Sequence, residues 1–151
     1  MITINWRKAI AAGLLATVVG FAVEFVLYSA ANGVYESYGE LAYARPVESI
    51  SAYLTQMMIG GALLNVLLAL AYAIIHTGLP GAQWKKGLSF WLILLVVNML
   101  PMAFNTWMQI AQPVPLILVE AANRSIGLMI TALVVAVVYG RGTLKRAAAT
   151  I

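Results

Sequence analysis

An all-α integral membrane protein, an antiparallel bundle of four transmembrane helices, is the fold class that this sequence predicts. Three observations carry the prediction. Hydrophobic residues make up 63% of the 151 residues and charged residues only 9%, against roughly 45–50% and 25% in soluble globular domains. Four apolar runs reach the ~20 residues that a helix needs to cross a hydrocarbon core about 30 Å thick. The cations gather at alternate ends of those runs. The alternating pattern of a membrane barrel does not occur, so helices are the way to satisfy the backbone in lipid.

The first span runs from about Ala9 to Ala31, and Asn32-Gly33 ends it. Arg7-Lys8, this apolar run and Ser29-Ala30-Ala31 share the outline of a signal peptide. The run is longer than a 7–15-residue signal core, however, and Glu24 interrupts it, so it reads as a retained span. In the loop 32–50, Val34, Tyr35, Tyr38, Leu41 and Ala42 recur at helical spacing, with Glu36 and Glu40 on another face. That pattern fits a short interfacial helix, or equally a loop held by tyrosines at headgroup level.

The second span runs from about Ser51 to His76, and Gly78-Leu79-Pro80-Gly81 breaks the chain after it. The third runs from about Gly87 to Gln112, with Pro101 expected to kink it. Pro113-Val114-Pro115 then forces a tight turn into the fourth span, about Leu116 to Gly140, so these two should be antiparallel neighbours. A tail, 141–151, completes one domain spanning 1–151. Gly13, Ala16 and Gly20, and Gly60-Gly61, offer small surfaces for close helix packing.

Charge sets the expected orientation. Arg7, Lys8, Lys85, Lys86, Arg141, Lys145 and Arg146 fall on one side of a four-span topology and only Arg45 on the other. This places both termini in the cytoplasm of a multi-pass protein of the cytoplasmic (inner) membrane. Trp6, Trp84 and Trp91 then lie near the inner boundary, and Trp107, Tyr28, Tyr35, Tyr38, Tyr43 and Tyr53 near the outer one.

The composition also excludes chemistries. With no cysteine and one histidine, disulfides, thiolate catalysis and Cys- or multi-His metal sites within the chain are ruled out. The net charge of +4 marks span borders rather than a surface for nucleic acid. HExxH, Gly-rich phosphate loops and Ser/His/Asp arrangements do not occur, so no residue is assigned to catalysis or metal binding and no cofactor is named.

What stands out is polarity inside the spans, where an ionised side chain costs about 2.5–3.5 kcal/mol at mid-membrane on insertion scales. Glu24 lies fifteen residues beyond Ala9, about 22 Å up the first span. Glu120 and Arg124 lie about 6 and 12 Å, and Gln56 about 8 Å, inward from the opposite ends. Asn98, Asn105 and Gln109, at spacings of seven and four, share a stripe of the third span, and Asn123 adjoins Arg124. Facing inward, Glu24, Gln56, Asn98, Asn105, Gln109, Glu120, Asn123 and Arg124 would line an outward-open polar site.

Such a site fits binding, extended to transport, of a small polar, ionic or amphiphilic ligand. The surplus carboxylate hints at proton or cation handling, and Arg124 is the natural anchor for an anion. Two other classes share the pattern. The polar residues could instead be a structural network in an accessory subunit or assembly factor of a larger membrane complex. Glu24 and Glu120 could serve an enzyme acting on a lipid or quinone-like substrate. The expected partners are membrane lipids, together with further copies of the chain or a larger membrane complex.

Overall fold

The computed structural model describes residues 4–37, 49–109 and 113–140, and every regular element within them is helical. The elements are α1 (Trp6–Ala30), α2 (Asn32–Ser37), α3 (Ile50–Ile75), α4 (Gln83–Leu94), a π-helical turn (Leu95–Met99), α5 (Leu100–Gln109) and α6 (Val114–Gly140). Four stretches are long and apolar enough to cross a membrane: Trp6–Ala30, Leu54–Ile75, Gln83–Met108 and Val114–Gly140. They overlap the four runs read from the sequence and point to a multi-pass membrane protein. Of the expected interfacial helix, Asn32–Ser37 is present as α2, and the residues from Tyr38 to Glu48 lie outside the described ones.

Local chemistry sets the boundaries. Asn5 Oδ1 accepts from Lys8 N–H at 3.1 Å and caps α1, and Ser49 Oγ accepts from Ala52 N–H at 3.2 Å and caps α3. Gly81, at φ 84°, turns the chain between α3 and α4 in a conformation that a side chain would disfavour. In the third span, the Leu100 N–H donates to the Leu95 carbonyl, five residues back. Pro101 follows directly and has no N–H for the Val97 carbonyl. The disruption expected at Pro101 therefore takes the form of a π-turn just before it.

α1 and α6 form the central pair. α3 packs on α1, and α4 packs on α6. Each neighbour runs antiparallel to its partner. Gly13, Thr17 and Phe21 of α1 meet Val66, Asn65 and Gly61 of α3 in reverse order. Gly20 and Glu24 of α1 likewise meet Thr131 and Gly127 of α6.

Small residues allow these approaches. A Cβ at Gly13 would lie 2.6 Å from Val66 Cα, and one at Gly87 would lie 3.0 Å from Ala136 Cβ. Gly13 thus makes the α1–α3 contact expected of it, as Gly61 does against Phe21. Gly60 has open space where its Cβ would be.

The close-packed core sits at the end of the helices that carries Asn5 and Gly140, the termini end. Ala9, Ala12, Ala16, Ala69, Ala73, Ala132 and Ala136 bring the backbones together around Tyr72, Phe90, Val135 and Tyr139. His76 sits within this aromatic group, 5.1 Å from the Tyr139 ring and 5.8 Å from the Tyr72 ring, and Lys8 Nζ lies 5.7 Å over Tyr139. Tyr72 Oη reaches Gln83 Oε1 at 3.3 Å, and Lys86 Nζ donates to the His76 carbonyl at 2.8 Å, tying α3 to α4 here. Trp91 donates its indole N–H to the Ser125 carbonyl of α6 at 3.1 Å and so ties α4 to α6. Toward the opposite, loop end, α5 packs on α6 and the π-turn and, among the described residues, diverges from α1 and α3, approaching them at most marginally. That divergence opens the site.

Candidate functional site

A cavity of about 380 Å³ occupies the space between α1, α3, the third span and α6, above the packed core. Its floor follows from the core. The deepest wall residues are Thr17, Leu68, Leu94 and Thr131, and beyond them lie the fully buried Ala16, Ala69, Tyr72 and Val135. Interhelical hydrogen bonding hardens this floor. Asn65 Nδ2 donates to Thr17 Oγ1 at 3.2 Å, while Thr17 Oγ1 donates to the Gly13 carbonyl at 2.9 Å.

The polar wall faces the loop end. Glu24 projects from α1, is half-buried, and lies over Gly127 of α6. A Cβ at Gly127 would stand 3.1 Å from Glu24 Oε1, so the glycine leaves room for the carboxylate. Arg124, one helical turn from Gly127, is exposed at the rim of the same cavity. The hydrogen bond described for its guanidinium is from Nη1 to Met102 Sδ at 3.6 Å, a weak acceptor. Asn98, within the π-turn, adds an exposed amide. Apolar side chains complete the walls: Phe21, Met57, Leu64, Leu94 and Leu128.

A smaller cavity of about 60 Å³ adjoins the first between α5 and α6. Glu120, Thr106 and Ala103 line it, and Met99, Met102 and Arg124 are shared by both cavities. Arg124 therefore stands between the space near Glu24 and the space near Glu120.

Of the eight residues expected at the site, Glu24, Asn98 and Arg124 line the main cavity and Glu120 the side one. Asn123 is buried, 8% exposed, but its amide donates to Tyr35 Oη at 3.2 Å and so ties α2 to α6. Gln56 is exposed on α3 and does not line either cavity. Asn105 is exposed on α5 and lines neither cavity. Gln109 ends α5, and its side chain lies outside the described ones.

The wall also includes Thr17, Tyr28, Asn65 and Thr131, which are not among the residues expected at the site. For Asn65 a signal existed, since an amide amid the apolar run of α3 needs a partner. Among the described residues, no three His, Asp or Glu side chains come together to hold a metal. Comparison with protein-family models, curated proteins and solved structures gives no match for this chain.

Proposed function

We propose that this protein crosses the cytoplasmic membrane four times, with both termini in the cytoplasm, and binds a small amphiphilic ligand in the cavity beside Glu24 and Arg124. The observation that carries this reading is the composition of one wall. A carboxylate, a guanidinium and an amide (Glu24, Arg124, Asn98) stand beside Phe21, Leu64, Leu94 and Leu128 around about 380 Å³. Ligand pockets run from roughly 300 to 1,000 Å³, with mostly apolar linings and a few convergent polar groups. The hydrogen bond described for Arg124, to a thioether, leaves guanidinium donors for a ligand.

A purely structural network would be expected to consume its polar groups. That is what Asn123 with Tyr35 and Asn65 with Thr17 do, and what the described bonding of Arg124 does not. Binding is the core of the reading. Transport would in addition require the packed floor at Ala16, Ala69, Tyr72 and Val135 to open.

The test is native mass spectrometry of the full chain, extracted from its membrane in mild detergent. Wild-type protein should carry non-protein mass of lipid or metabolite size. Asn98→Trp, which fills the cavity from an exposed position, should lose it. Equal adducts on both proteins, or none on either, would overturn the binding reading.

A further inference from the structure

We infer that the cavity takes a zwitterionic amphiphile, with a head bearing a protonated amine and a phosphate or carboxylate, admitted sideways between α3 and the third span. The inference rests on the binding reading and narrows it to a ligand class and a route.

The route follows from which helices touch. Among the described residues α1 and α6 both pack on α3, and α6 packs on α4, whereas α3 and the π-turn–α5 segment approach each other at most marginally even though both wall the cavity. The lips of the gap between them are exposed: Met57 at 36% and Leu64 at 55% on α3, Met102 at 48% and Asn98 across from them. These lips lie along helix flanks, within the stretches apolar enough to span a membrane. In a bilayer such a gap faces acyl chains, so a molecule dissolved in the lipid reaches it without leaving the membrane.

The head class follows from the sign and placement of the charges. Arg124 stands exposed at the mouth, and its planar fork suits phosphate or carboxylate oxygens. Glu24 lies beside Gly127, one helical turn further along α6, and is half-buried. A purely anionic head would be repelled by Glu24 and a purely cationic one by Arg124, and low dielectric strengthens both mismatches. A head carrying both signs pairs with each. A protonated primary amine has N–H groups to donate to Glu24, which a quaternary ammonium lacks.

The remaining wall is apolar, with Phe21, Leu64, Leu68 and Leu94 toward the floor. At about 380 Å³ the cavity is small among ligand pockets. It holds a head and the start of one chain, and a longer tail leaves through the gap.

The experiment reconstitutes the full chain in bilayers containing equal parts phosphatidylethanolamine, phosphatidylcholine and phosphatidylglycerol, and reads retained lipid by native mass spectrometry. Phosphatidylethanolamine should be retained about tenfold over either competitor, the scale of one charge-assisted hydrogen bond. Arg124→Gln should lower that retention about tenfold, with Arg124→Lys recovering part of it. Glu24→Gln should shift the preference toward phosphatidylglycerol. A further arm adds soluble phosphoethanolamine, which presents the same head without a chain and should compete poorly.

Equal retention of the three lipids, a phosphatidylglycerol preference in the wild type, or unchanged selectivity in Glu24→Gln would overturn the zwitterionic class. Effective competition by soluble phosphoethanolamine would overturn the lipid-phase route. In each of those cases the binding reading still stands, whereas retention of no lipid with no displaceable head removes both. If a variant fails to elute as a folded species, the wild-type selectivity decides alone.

Discussion

The Glu24 carboxylate packs over Gly127, with its Oε1 3.1 Å from where a Cβ would stand there. The glycine is thus the seat of the acid that faces Arg124. Alanine raises helix propensity by up to about 1 kcal/mol over glycine, and the atom it meets is the mobile end of a side chain. Gly127→Ala should therefore fold with unchanged or slightly raised thermal stability while displacing Glu24 and lowering ligand retention. A melting curve beside native mass spectrometry checks both halves. Lost stability with normal retention would show that Gly127 serves packing alone.

Gly13 provides the contrast. Its absent Cβ would meet Val66 Cα at 2.6 Å and the Asn65 carbonyl oxygen at 2.8 Å, and backbone cannot swing aside. Gly13→Ala should push α1 from α3 and destabilise the chain by about 1–3 kcal/mol, the usual scale of overpacking. Unfolding by sodium dodecyl sulfate titration measures this. A midpoint equal to wild type would mean that the two helices approach less closely than described.

Removing the bond between Thr17 and Asn65 should have a milder effect. Thr17→Val keeps the shape and deletes the hydroxyl that accepts from Asn65 Nδ2 at 3.2 Å. Interhelical hydrogen bonds in membranes average about 0.6 kcal/mol by double-mutant cycles. The cycle Thr17→Val with Asn65→Leu should return a coupling of that order, and additive effects would show the pair to be uncoupled.

The four long apolar helices were legible because hydrophobic length is a one-dimensional property, and the presence of Glu24 and Arg124 in one cavity wall was legible because charge inside an apolar run has few tolerable fates. Facing was less legible. Counting 3.6 residues per turn puts Asn98 and Asn105 on one stripe, but the third span contains a π-turn at Leu95–Met99 that shifts the facing between them. Asn98 consequently lines the cavity and Asn105 does not. Asn123 neighbours Arg124 in sequence, yet successive helical residues point about 100° apart, and its amide goes to Tyr35. A second element arriving from the loop, α2, decided that partner, and local spacing carries no trace of it.

Orientation is testable because the chain has no cysteine. Single cysteines replacing Glu36, in α2, and Lys85, in α4, lie at opposite ends of the helices. If both termini are cytoplasmic, an impermeant maleimide added to intact cells should label the Glu36→Cys protein and leave Lys85→Cys unlabelled until the membrane is opened. The reverse pattern would invert the topology and move the cavity mouth to the cytoplasmic side.

Pro101 links the irregular backbone to the site. The Leu100 N–H reaches back five residues to Leu95, and the residue after it has no N–H to offer Val97. Pro101→Ala supplies that donor and permits a continuous α-helix through 95–101. The third span would then rewind at Asn98 and Met102, the residues that form one lip of the gap. Thermal stability should rise, since an interior proline costs about 3 kcal/mol in a regular helix, and ligand retention should fall as the lip rotates. A cysteine at Asn98 reads the rotation directly through its rate of labelling by a lipid-soluble maleimide, which should drop in the Pro101→Ala background. Unchanged labelling with raised stability would show that the π-turn is set by packing on α6 and not by the proline.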